Sequence, residues 1–109
     1  MINIEELRKL NWQKPWQFVL EPSTVDELKR ELNKNHVLRG KSCVQVARRC
    51  DNDDVVYIVN DEKLAFVHLT WSGKEDRCDE FPWTVIYDSV KDFVEKQLNP
   101  DIEFFAQFK

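Results

Sequence analysis

Hydrophobic and polar residues alternate in the middle of the chain as they do in half-buried β-strands. In the segment 64–71, "LAFVHLTW", one face of the predicted strand is entirely apolar and consists of Ala65, Val67, Leu69 and Trp71. The other face is mixed and consists of Leu64, Phe66, His68 and Thr70. Alternation or β-branched content also predicts strands over 43–49, 55–59 and 84–87. The polar connector 60–63 has the length of a hairpin loop.

Two helices are predicted before these strands. Asn3 can cap a short helix over 3–10, and Pro15 ends any continuation. The stretch 15–22, "PWQFVLEP", is bounded by prolines and is typical of an extended segment or an edge strand. A helix over 24–33 follows, in which Thr24 and Glu27 form a capping-box pattern.

A further helix is predicted over 90–98. Ser89 and Asp92 give its capping pattern, and Pro100 is expected to stop it. The tail 101–109, "DIEFFAQFK", carries three phenylalanines and is expected to dock on the body, because exposed it would form an apolar patch.

This order predicts one α+β domain over 1–109. Sequential strands with short links favour an antiparallel sheet. We expect two layers: a sheet of about four strands, with the helices at 24–33 and 90–98 packed on one face. A loop from 72 to 80 interrupts the strands.

The charge of the chain bears on its partners. Twenty acidic and 16 basic residues give a net charge of −4. The densest basic pair, Arg48-Arg49, is followed at once by Asp51, Asp53 and Asp54. A nucleic-acid partner is therefore not expected, because phosphate contacts need clustered Lys and Arg. A basic protein partner fits this balance better.

Other classes of protein are disfavoured by what the sequence contains. Three cysteines form no Cys-x-x-Cys pair, which favours reduced thiols over a disulfide framework. The two glycines, Gly40 and Gly73, cannot build a phosphate-binding loop. The longest apolar run is 55–59, too short for a membrane helix, and residues 1–12 lack the apolar region of a secretory signal. A cytoplasmic location is expected, with no membrane association.

Residues 36–96 resemble a family of small bacterial proteins of unknown function. The resemblance is carried by "HVLRGKSCVQVARRCDNDDVVYIV", "VHLTWSG" and "WTVIYDS". It implies a bacterial, cytoplasmic, single-domain protein. It supplies no activity, cofactor or catalytic residue.

His68 and Trp71 are the first candidates for a binding site. His68 lies where the alternation expects an apolar residue, so it is either a partly buried packing residue or a base or proton switch. Trp71 closes the strand and either plugs the edge of the core or anchors a partner. For both His68 and Trp71 the sequence favours the interpretation as a packing residue. No spacing predicts a nucleophile built from Cys50 or Cys78.

Acidic residues form a second group of candidates. The run 51–54, "DNDD", begins like a calcium loop, but valines stand where an EF-hand needs a ligand and a glycine. No metal and no cofactor are therefore expected, and an Asx-type turn is predicted there. Two acidic loops could still form one surface beside Trp71, with contributions from Asp53, Asp54, Glu75 and Asp76.

These observations lead to two hypotheses of function. The first is a non-catalytic protein-binding domain, such as an adaptor or an immunity protein, that docks a basic partner. The alternative is a small-molecule-binding or enzymatic domain with a pocket near His68 and Trp71. A flat acidic surface with His68 buried would favour the first, and an apolar cleft with His68 exposed at its base would favour the second.

Overall fold

A computed structural model describes residues 1–20 and 24–107 of the chain. Five β-strands and four α-helices follow one another in it. The elements are α1 (Ile4–Arg8), β1 (Trp16–Phe18), α2 (Val25–Glu31), β2 (Cys43–Arg49), β3 (Asp54–Val59), β4 (Lys63–His68), β5 (Trp83–Tyr87), α3 (Val90–Phe93), a π-helical turn (Val94–Leu98) and α4 (Asn99–Ala106).

The strands form one antiparallel sheet in which neighbours in sequence are neighbours in space, in the order β1-β2-β3-β4-β5. The β3–β4 hairpin reverses through Asn60 and Asp61, which both have positive φ (50° and 60°). Asn and Asp tolerate this left-handed backbone better than most residues, so the polar connector closes the hairpin. A β-bulge between Gln45 and Ala47 shifts the β2–β3 register.

Both faces of the sheet are covered. One core includes Leu7 of α1, Phe93 of α3 and Leu98 of the π-helical turn, packed on Val56 and Leu64. The α+β class and the antiparallel sheet are confirmed. The sheet has five strands where about four were expected.

The second core lies on the opposite face, where Leu28 and Leu32 of the α2 segment pack on Val55, Tyr57 and Val67. The expectation of two layers with helices on one face therefore needs correction to helices on both faces. The physical reason is that every residue of β3 is buried, so neither side of the central strand can face water.

The termini of the elements show which local sequence patterns acted as expected. Asn3 and Ser89 cap their helices, accepting hydrogen bonds from the backbone N–H of Glu5 (2.8 Å) and Asp92 (3.1 Å). The predicted capping box at Thr24 is wrong. Thr24 Oγ1 donates instead to Gln45 Oε1 (2.6 Å) in the sheet, so a tertiary contact replaces the cap.

Pro100 does not end the last helix. The N–H of Asn99 bonds to the carbonyl of Val94, which widens the helix by one residue immediately before the proline. Pro100 lies in the first turn of α4, directly after the π-helical turn, so the helical path passes the proline without a break. The helical path continues to Ala106, and Asp101 and Ile102 dock it on the first core. Phe108, part of the predicted docking tail, lies outside the described residues.

Candidate interaction surface

The candidate residues collect at the end of the sheet where β3 begins, β4 ends and β5 begins. The register places His68 opposite Asp54 on one side and opposite Trp83 on the other. Directly opposed residues of antiparallel strands project from the same face. His68, Asp54 and Trp83 therefore stand in one row across three strands.

Asp54 orients the imidazole of His68. The Nδ1 atom of His68 donates to Oδ1 of Asp54, because a carboxylate can only accept. Asp54 is buried, whereas the side chain of His68 is 52% exposed. The Nε2 atom of His68 has no hydrogen-bond partner among residues 1–20 and 24–107. His68 is thus a locally bonded imidazole that is more exposed than the partly buried packing residue that the alternation favoured.

The turn before β3 is built by its own side chains. The Oδ1 atom of Asn52 accepts the backbone N–H of Asp54 (2.9 Å), which is the Asx-type turn that the sequence predicted. Asp51 receives two hydrogen bonds from the guanidinium of Arg49 (2.9 and 3.0 Å). The hydrogen bond from Arg49 lowers the pKa of the Asp51 carboxyl. No group of three or more potential metal-ligating side chains is found in the described part of the chain.

Trp71 lies outside β4, which ends three residues earlier than the predicted strand 64–71. Its φ of 57° is left-handed, and its side chain is 43% exposed. The interpretation of Trp71 as a residue that plugs the edge of the core is therefore wrong, whereas Leu69 is buried as predicted. The strand ends because the N–H groups of Thr70 and Trp71 bond to a side chain of α2 rather than to a neighbouring strand.

That side chain is Glu31, one of two buried carboxyls that sequence reasoning missed. Its Oε1 and Oε2 atoms accept the backbone N–H of Thr70 (2.9 Å) and of Trp71 (2.8 Å). Glu27, one turn earlier on α2, accepts the backbone N–H of Gly73 (3.0 Å) and a side-chain bond from Arg30. Both glutamates lie on the face of α2 that carries Leu28, and two acidic residues on an apolar face were the available signal.

The two carboxyls shift each other's pKa in opposite directions. Burial and the hydrogen bond with Glu27 raise the pKa of Glu31 above the ordinary value of 4.5. The same hydrogen bond with Glu31 lowers the pKa of Glu27. Glu31 therefore keeps its proton to higher pH than Glu27 does.

The loop that follows Trp71 is tied to the end of α2. The N–H of Asp76 donates to the backbone carbonyl of Glu31 (3.0 Å). The side-chain amide of Asn33 donates to the carbonyl of Asp76 (3.2 Å) and to Oδ1 of Asp79 (3.0 Å). The loop 72–80 is therefore exposed over most of its length but anchored at several points.

The four predicted acidic residues have different environments. Asp53 is exposed. Asp54 is buried against His68. Glu75 forms an exposed ion pair with Arg39 (3.6 Å), and Oδ1 of Asp76 accepts the N–H of Cys78 (3.0 Å). Three of the four carboxylates therefore have partners within the described residues.

Large aromatic side chains at this end of the sheet are exposed. Trp71 (43%), Phe81 (43%) and Trp83 (50%) are accompanied by the accessible His68. We call these four residues the aromatic end surface. The principal hollows of the described chain are shallow, and neither His68 nor Trp71 lines them. The apolar cleft that a small-molecule site would need is thus not found at His68 in the described residues.

Comparison of the chain with protein-family models, curated proteins and solved structures found no match. The resemblance of residues 36–96 to a bacterial family therefore stays an expectation. No helix within the described ranges is both long and apolar enough to cross a bilayer.

Proposed function

We propose that the chain is a protein-binding domain that contacts its partner through the aromatic end surface. The observation that carries this proposal is the exposure of three large aromatic residues, Trp71, Phe81 and Trp83, in the segment that leaves β4 and returns to the start of β5. Tryptophan is enriched among the residues that dominate the binding energy of protein interfaces. A shallow surface of this kind suits a protein better than a small molecule.

The backbone that presents these side chains is already ordered. Glu31 and Glu27 hold residues 70–73 by three hydrogen bonds, and Trp83 belongs to β5. A surface that is fixed before binding loses less conformational entropy in the complex. The anchored loop therefore supports a role in recognition.

The charges around the aromatic end surface favour a basic partner. The loop 72–80 carries four acidic residues against Lys74 and Arg77, and the whole chain is acidic. Complementary charge speeds encounter more than it raises affinity. The role that we propose is that of an adaptor, or of an immunity protein that neutralises a basic protein toxin in a bacterial cytoplasm.

Matched baits test the proposal. We would immobilise four proteins: wild type, Trp71→Ala, Trp83→Ala and Phe104→Ala. The Phe104→Ala variant is the control, because Phe104 is an exposed aromatic residue on α4. A partner retained by wild type and by Phe104→Ala should bind the two tryptophan variants at least about tenfold more weakly once purified. Equal binding by all four baits would reject the aromatic end surface as the interface.

The oriented His68–Asp54 pair favours a second candidate, an enzymatic or small-molecule-binding role near His68 and Trp71. A histidine whose Nδ1 is bonded to a buried carboxylate can act as a base through Nε2. A screen of hydrolysis and isomerisation substrates with wild type and His68→Gln would reveal it. Turnover that His68→Gln abolishes, with folding intact, would favour this candidate over the first.

A further inference from the structure

β5 is an edge strand whose own five residues include none of the charges or prolines that usually protect such edges, and His36 bonds to Thr84 and to the carbonyl of Pro82 at its start. Within the described residues it pairs with β4 on one side and with no strand on the other. Its sequence, "WTVIY", contains no charge, no proline and no glycine. Native proteins usually guard an edge of this kind with lysine, proline or a covering segment, because its backbone can pair with another strand. The opposite edge, β1, is only three residues long.

Two shallow hollows lie along β5. One is lined by Trp83 and Thr84 and the other by Ile86, and the exposed Val37 borders both. Thr84 and Ile86 are two residues apart and therefore point to the same face of the sheet. The hollows thus have the spacing at which alternate side chains of an added strand would fall.

The hollows differ in charge. The hollow at Thr84 is bordered by Asp79 and Glu80, and no lysine or arginine lines it. Lys41 and Lys63 line the hollow at Ile86 together with two acidic residues, and Lys63 pairs with Asp88 (3.1 Å). The first hollow therefore complements a basic side chain, and the second complements an apolar one.

We infer that the free edge of β5 takes up an extended segment of a protein partner as a sixth strand, with a lysine or arginine two residues from an aliphatic residue. This inference rests on the proposed protein-binding function and specifies the kind of partner. Backbone hydrogen bonds supply affinity in strand addition, and the hollows supply selectivity. A second copy of the chain fits less well, because antiparallel β5–β5 pairing would bring Asp88 of one copy towards the acidic 79–80 segment of the other.

A short capped peptide tests the inference without knowledge of the natural partner. Its central valine is flanked at alternate positions by lysines, with threonines between them, so that either strand direction presents a lysine to the hollow at Thr84. Titration into isotope-labelled protein should shift the amide resonances of 83–87. A peptide with glutamates in place of the lysines should bind about tenfold more weakly at low salt. Absence of shifts in β5 with the lysine peptide would overturn the inference.

Two pairs of variants show whether the peptide binds at the edge of β5 and at the hollow beside Thr84. Thr84→Lys should abolish the shifts because a lysine on the edge opposes strand addition, whereas Thr84→Val should preserve them. Glu80→Gln should weaken the lysine peptide about twofold to threefold, and Glu103→Gln on α4 should not. If Thr84→Lys fails to fold, the comparison of Glu80→Gln with Glu103→Gln still tests whether the hollow at Thr84 takes up a basic side chain. Equal affinity in Glu80→Gln and Glu103→Gln would overturn that assignment.

The outcomes separate this inference from the proposed function. Sedimentation that shows a wild-type dimer abolished by Thr84→Lys would assign the edge to a second copy and overturn the partner segment. A captured partner that protects the loop 70–80 and Trp83 from amide exchange but leaves 84–87 unprotected would overturn strand addition and leave the aromatic end surface supported. Protection of both regions supports both.

Discussion

Single side chains determine where β4 ends and how the following backbone turns, and Glu31 has the largest part in this. A carboxyl that is completely buried would be costly if it lacked hydrogen bonds. Glu31 meets this requirement by accepting two backbone N–H groups that would otherwise have continued β4. The same bonds turn Trp71 into left-handed backbone and out towards solvent.

The Glu27–Glu31 pair predicts opposite pH dependences for two amide variants. The raised pKa of Glu31 gives stability that is complete below the ordinary value of 4.5 and is lost as the pH rises through the folded-state value. The lowered pKa of Glu27 gives stability that is complete above 4.5 and is lost as the pH falls.

Free energies of unfolding measured in urea over a pH series check this prediction. The cost of Glu31→Gln, about 1–3 kcal/mol for a disturbed buried hydrogen bond, should shrink as the pH rises above 4.5. The cost of Glu27→Gln should shrink as the pH falls below 4.5. Parallel slopes for the two variants would show that the two pKa values are not shifted in opposite directions.

Trp71 and Leu69 are predicted to differ in their contributions to stability. Leu69 is buried in the second core, so Leu69→Ala should cost about 2–5 kcal/mol. Trp71 is half exposed, so Trp71→Ala should change the free energy of unfolding by less than about 1 kcal/mol. Urea titration compares the two. If Trp71→Ala lowered the free energy of unfolding as much as Leu69→Ala does, Trp71 would be a core residue.

At the scale of elements, α2 organises the long loop between β4 and β5. Its buried carboxyls hold the start of the loop, and Asn33, just beyond its end, holds the later part. A nine-residue connector such as 72–80 has few apolar side chains of its own. Its order therefore depends on polar contacts with α2.

Asn33→Ala should loosen the loop without unfolding the sheet. Two hydrogen bonds to residues 76 and 79 would be lost, so amide exchange over 74–79 should accelerate while that of β3 stays slow. Asn35→Ala is the matched control, because its contacts with Asp79 are at the limit of hydrogen bonding (3.4 Å). Equal acceleration in both variants would show that Asn33 is not the anchor.

The whole molecule is a sheet enclosed between helices, and its acidic groups belong to two classes. Glu27, Glu31 and Asp54 are buried and act on the fold. Asp53 and Glu75 are exposed and act on what approaches the surface. Only the second class can steer a partner without affecting stability.

Replacement of the four predicted acidic residues should therefore show which of them contribute to stability and which contribute to binding. Asp53→Asn, Glu75→Gln and Asp76→Asn should each change the free energy of unfolding by about 0.5 kcal/mol or less. Asp54→Asn should cost about 1–3 kcal/mol, because it disturbs a buried bond to His68. The triple variant should associate more slowly with the partner at low salt, measured by stopped flow, and salt should remove the difference. An unchanged rate would place these charges outside the interface.

The sequence by itself determined the strands β2 and β3, the caps at Asn3 and Ser89 and the Asx turn at Asn52, because each depends on residues close together in the chain. Only the tertiary structure decided that helices cover both faces, that Thr24 bonds to the sheet and that β4 ends at His68. These features depend on contacts between residues 21 to 40 positions apart. No local pattern specifies such contacts, since a buried polar group is satisfied by whichever partner the fold brings to it.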